Sequence, residues 1–72
     1  MKKIYRVEVD CAHCAGKMEI AAGKLDGVAE ITINFMTQKM TVVYAEGCDT
    51  DKTLKSIIKT CRKIEPDFEI IG

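Results

Sequence analysis

Between residues 4 and 9 apolar and polar side chains alternate, with Tyr5, Val7 and Val9 on one side and Arg6 and Glu8 on the other. A period of two marks a half-buried strand. After Asp10-Cys11-Ala12-His13-Cys14 the period lengthens, and Cys14, Met18, Ala21, Ala22 and Leu25 line one stripe of a helix. The pattern predicts that helix over Ala12–Asp26, with Gly27 free to take the left-handed conformation wanted past a helix end. Alternation then returns twice, through Ile31, Ile33 and Phe35 within Val28–Phe35 and through Met40, Val42 and Tyr44, which reads as an antiparallel hairpin. Its connection, Met36-Thr37-Gln38, lacks the glycine of tight hairpins, which leaves room for a longer loop. Thr50 is placed to cap a second helix whose apolar face is Leu54, Ile57, Ile58, Cys61 and Ile64. Pro66 ends it, and Phe68–Ile71 supplies a short last strand.

The order strand–helix–strand–strand–helix–strand is that of the ferredoxin-like βαββαβ sandwich, an α+β fold. Right-handed crossovers put both helices on one face of a four-stranded antiparallel sheet. Chain direction then gathers the Cys11–Cys14 loop, Met36–Gln38 and Lys63–Asp67 at one end and sends the loop carrying Cys48 to the other. Seventy-two residues hold one such domain, 1–72, with no internal repeat or linker.

Composition narrows the function. Eleven Lys+Arg balance eleven Asp+Glu, so the chain lacks the basic excess that captures nucleic acid or anionic membrane. Two Tyr, two Phe and no Trp leave few aromatics for stacking bases on the open sheet face. No apolar run approaches the roughly 18 residues of a membrane span, and no signal-peptide stretch opens the chain. The expectation is a soluble cytoplasmic monomer without direct membrane insertion. In such a compartment clustered cysteines bind metal or do redox work rather than form structural disulfides.

Cys11 and Cys14 carry the chemistry. A Cys-x-x-Cys loop closing onto a helix brings two sulfurs within reach of one ion, and the helix N-terminus favours thiolate. Thiolates select Cu(I), Zn(II) and heavier relatives over Mg or Ca. Two sulfurs alone suit linear Cu(I), whereas Zn(II) takes about four ligands and accepts carboxylate oxygen, which the adjacent Asp10 can supply. His13, between the two cysteines, and Cys61, near the end of the second helix, are lesser candidate ligands. Against metal binding stand a solvated or helix-stabilised Asp10, an outward-pointing His13 and a buried, merely apolar Cys61. Met18, Met40, Tyr5 and Phe68 are read as core, Met36 as a shield over the site and Cys48 as an exposed thiol. Lys52, Lys55, Lys59, Arg62 and Lys63 read as a solvated face of the second helix.

From Tyr5 to Ile70 the chain resembles the heavy-metal-associated domains, found as small copper chaperones and as N-terminal domains of metal-transporting P-type ATPases. Glu8-Val9-Asp10-Cys11-Ala12-His13-Cys14 stands where that family carries Gly-Met-Thr-Cys-x-x-Cys. Ala15–Glu19, Leu25–Val28 and Asn34-Phe35 stand where it carries similar residues. Two departures matter. Asp10 replaces the usual Thr, as in zinc, cadmium and lead exporters, and the last loop, Ile64-Glu65-Pro66-Asp67, lacks the Lys that copper chaperones usually place there. Extra negative charge is tolerable around a dication and unfavourable around a monocation.

The resemblance therefore implies a module that binds one Zn(II), Cd(II) or Pb(II) ion and delivers it to the transmembrane metal-binding core of an ATPase or to a partner thiol domain. A freestanding Cu(I) chaperone is the alternative. No enzyme activity is expected of the chain itself. A thiol–disulfide oxidoreductase is disfavoured because Asp10 beside Cys11 raises the pKa of a would-be nucleophile. A zinc ribbon needs a second close cysteine pair, and Cys48 and Cys61 lie too far apart in sequence.

Overall fold

The computed structural model describes residues 1–71. The elements follow the expected order: β1 (Lys2–Glu8), α1 (Ala12–Gly23), β2 (Val28–Asn34), β3 (Lys39–Tyr44), α2 (Thr50–Ile64) and β4 (Glu69–Ile70). The sheet order is β2-β3-β1-β4. Every neighbouring pair runs antiparallel, with Tyr5 opposite Met40, Ile33 opposite Met40 on the other side, and Val7 opposite Ile70. This is the ferredoxin-like sandwich. Its core joins the inner face of the sheet (Val7, Ile31, Ile33, Met40, Val42, Tyr44) to Ala15, Met18 and Ala22 of α1, Ile57 and Cys61 of α2, and Phe68.

Several element ends differ from the sequence expectation, each for a local reason. β1 starts two residues early because Lys2 and Lys3 pair with Val43 and Val42, although two lysines carry no alternation. α1 stops at Gly23, not Asp26, since Lys24 turns its N–H onto the carbonyls of Ala21 and Ala22. Leu25 still packs on the core, which is why the apolar stripe looked longer than the helix. Gly27 does take a positive φ of 90°, but in a turn four residues beyond the helix. Asp49, rather than Thr50, caps α2, its carboxylate accepting the N–H groups of Asp51 at 3.0 Å and Lys52 at 3.2 Å.

The hairpin connection is the longer loop allowed for. Asn34 Oδ1 accepts the N–H groups of Met36 and Thr37, forming an Asx turn, and Gln38 closes the loop in the left-handed region at φ 54°. At the free edge of β2, the Glu19 carboxylate accepts the N–H of Ile33 at 2.9 Å, covering a donor that an edge strand leaves open. Cys48, expected to be exposed, is half-buried against the core beside Gly27 and Thr53. Tyr5 is half-buried too, because its hydroxyl bonds that of Tyr44 at 2.8 Å instead of entering the core fully.

Candidate metal site

Three loops meet at the end of the sheet where β1 leaves for α1. Gln38 binds the first to the second: its side-chain oxygen accepts the N–H of Val9 at 2.8 Å, and its amide nitrogen donates to the carbonyls of Val9 at 2.9 Å and Phe35 at 2.8 Å. Glu65, the residue just past α2, binds the third. Its Oε1 accepts the N–H of Asp10 at 3.2 Å. Val9 and Asp10, which lead into the Cys11–Cys14 turn, are thus held by two side chains remote in sequence.

Within that turn Cys11 has extended backbone angles (φ −134°, ψ 118°) and serves as the N-cap of α1. Its sulfur accepts the N–H of Cys14 at 3.3 Å, the part usually played by a serine or aspartate oxygen. This bond, reinforced by the Cys14 thiol and the N–H of His13, holds the Cys11 pKa below the ordinary thiol range, against partial desolvation and the charge of Glu65. Cys14 moves the other way. It hydrogen-bonds to Cys11, is partly desolvated and feels the charges of Cys11 and Glu65, which together raise its pKa while Lys17 opposes. Cys11 is therefore the more acidic thiol of the pair.

The other candidates divide by position. Asp10 is exposed, next to Cys11, and its backbone N–H is the group bound to Glu65. His13 is exposed on the first turn of α1. Cys61 is fully buried in the core, and burial pushes its thiol up to about 11, so it behaves there as a small apolar residue. Met36 is 87% exposed at the hairpin tip and shields nothing in this state. Among the described residues, no three His, Cys, Asp and Glu side chains are drawn together in an array that could hold a metal ion.

Two residues of this end carry no local sequence signal of their role. Gln38 looked like an ordinary turn residue, and its three side-chain bonds have no sequence signature. Glu65 counted only as the absence of a lysine. It is 8% exposed, and its Oε2 is buried without a hydrogen-bond partner. A lone carboxylate after a helix carries no signal that its side chain folds inward.

Residues 4–67 match the heavy-metal-associated domain. The chain is 39% identical over 61 residues to heavy metal-associated isoprenylated plant protein 28 of Arabidopsis thaliana, covering 83% of this chain and 36% of that protein. It therefore spans little more than a third of that relative's length. Among solved structures, a CopZ metallochaperone has a TM-score of 0.74 at 22% identity, with 99% of this chain and 100% of that one covered. The N-terminal domain of the zinc(II) ATPase ZiaA, in its apo form, has a TM-score of 0.72 at 24% identity, with 99% of this chain and 63% of that one covered. At such identities the structural likeness speaks for the fold, while the matched residues speak for the family. The chain belongs to the heavy-metal-associated domains, a family of metal-binding modules.

Proposed function

We propose that the domain captures one soft divalent ion, of the Zn(II), Cd(II) or Pb(II) kind, on Cys11 and Cys14 with Asp10, and hands it to a partner's thiolates. The observation that carries this reading is the half-buried cysteine pair at the N-terminus of α1, one sulfur already acting as the helix cap. A cap sulfur sits where N–H groups and the helix dipole stabilise negative charge, so the ligand is ready before the ion arrives. Asp10 is exposed and can swing to an ion on the neighbouring sulfur. Because both sulfurs lie at the surface end of the sandwich, an incoming thiolate can attack the same ion, and transfer proceeds by ligand exchange without free metal.

The setting we propose is the cytoplasmic N-terminal domain of a metal-exporting P-type ATPase, whose transmembrane sites receive the ion. Among the described residues no helix is long and apolar enough to cross a membrane, so any pumping belongs elsewhere. A freestanding Cu(I) carrier is the second reading. It is favoured by the absence, among the described residues, of a preassembled third ligand, since two sulfurs satisfy linear Cu(I).

Competition against a chromophoric chelator tests the site. The wild type should take up one Zn(II) or Cd(II) per chain, and the Cys11→Ala/Cys14→Ala double variant should not compete. Tight one-to-one binding retained by the double variant would remove the site.

A further inference from the structure

We infer that Gln38 is a positioning residue for the cysteine pair: its side-chain amide fixes the strand end that Cys11 continues, and so sets how tightly the pair holds its ion. The inference deepens the proposed function and rests on Cys11 and Cys14 being the ligands. Backbone pairing between β1 and β3 runs to Arg6 opposite Lys39, and one more backbone bond joins the Val7 N–H to the Gln38 carbonyl at 3.0 Å. On the N-terminal side of Lys39 the chain is already hairpin connection, while Val9 and Asp10 still separate β1 from Cys11. The Gln38 side chain takes over there. It carries the groups of a peptide unit, accepting the Val9 N–H and donating to the Val9 carbonyl, as a further strand residue would. Its second amide proton goes to the Phe35 carbonyl, which ties this extension to the other side of the hairpin.

The backbone of Gln38 points the same way. It holds φ 54°, in the left-handed region, where a side chain is strained and glycine is not. Such strain persists where the surrounding structure over-determines it, and here the three bonds of the side chain itself do so. The consequence falls on the sulfurs. Cys14 rides on α1, whereas Cys11 has extended backbone and stands two residues past Val9, so it belongs to the strand end. The 3.3 Å bond from the Cys14 N–H to the Cys11 sulfur therefore joins two separately anchored elements, and its geometry depends on Val9 staying in place. Without the amide the strand end is less restrained, and either ion must first bring Cys11 back to Cys14, at a cost in affinity.

Anaerobic chelator competition with Zn(II) and Cu(I) tests this on the full chain, comparing wild type with Gln38→Ala, Gln38→Gly and Gly27→Ala. The last places its strain beside Thr53 and Cys48, away from the cysteine pair. Both Gln38 variants should bind Zn(II) and Cu(I) about tenfold more weakly than wild type, by a similar factor for the two ions. Gln38→Gly, although the more stable of the two, should bind no more tightly than Gln38→Ala. Gly27→Ala should bind as wild type does despite its lower stability. Affinity that follows stability across the variants, weakening of one ion alone, or wild-type affinity in Gln38→Gly overturns the inference while leaving the cysteine site standing. Hydrogen exchange of the Gln38 side-chain amide in 15N-labelled wild type decides the matter even if the variants fold poorly. It should be slower than in free glutamine, and an equal rate overturns the positioning role. If wild type binds neither ion, or the Cys11→Ala/Cys14→Ala double variant binds as tightly, the proposed function fails first and this inference falls with it.

Discussion

Replacing Gln38 by Ala removes three side-chain hydrogen bonds at once: one accepted from the N–H of Val9 and two donated to the carbonyls of Val9 and Phe35. All three are partly buried, at 2.8–2.9 Å, so each is worth about 0.5–1.5 kcal/mol net, and together about 2–3 kcal/mol. Native domains are stable by only about 5–15 kcal/mol, and one this small belongs near the lower end. The variant should therefore unfold at clearly lower urea with an unchanged slope. The backbone supplies a second, opposite term. Gln38 sits at φ 54°, where a side chain costs about 1–2 kcal/mol and glycine costs nothing. Gln38→Gly loses the same three bonds but relieves that strain, so it should recover about 1 kcal/mol relative to Gln38→Ala. Hydrogen exchange at Val9 should quicken in both variants. Both variants matching wild type within about 0.5 kcal/mol, or Gly proving less stable than Ala, would refute the clamp.

Gly27→Ala should be destabilising by about 2 kcal/mol or more. The new Cβ would lie 2.5 Å from Thr53 Oγ1 and 3.2 Å from the Cys48 Cβ, on a backbone at φ 90°; thermal unfolding close to wild type would contradict it. Cys61 sets a pH dependence. Its thiol keeps its proton to about 11 in the folded protein, against an ordinary value of 9.0, so the unfolded state ionises first. The stabilisation it provides is complete below about pH 9 and is lost as pH rises through 11, about 1–2 kcal/mol after allowance for partial screening. Urea titrations across that range should show a shallower decline in Cys61→Ala than in wild type, and parallel curves would contradict the assignment.

The element order, the core face of each strand and the Cys11–Cys14 pair were legible because each rests on spacing within a few residues. The period of two through Tyr5, Val7 and Val9 and the two cysteines either side of Ala12-His13 are local patterns that folding only makes visible. What escaped was set by distance or by competition. Glu65 meets Asp10 across 55 positions and Gln38 meets Val9 across 29, and nothing near either residue announces the partner. Asp49 and Thr50 are both good caps in adjacent positions, and the backbone turn chose the carboxylate. Cys48 reads as exposed because loops usually are, yet it is half-buried and packs against the core.

The central claim is that this site is built for a dication, and Asp10→Ala tests it most directly. The side chain is exposed, so its loss should leave the fold intact; the Asp10 backbone bond to Glu65 does not involve the group removed. Zn(II) and Cu(I) affinities of wild type and Asp10→Ala would be measured by chelator competition under anaerobic reducing conditions. Tight Cu(I) binding by wild type is uninformative, because two thiolates favour that ion whatever else is present. The decisive quantity is the change on mutation. Zn(II) should weaken about tenfold or more, the equivalent of about 1.4 kcal/mol, while Cu(I) stays level or strengthens slightly as a negative charge leaves. Equal weakening of both ions, or of neither, would contradict the divalent assignment and favour the Cu(I) carrier.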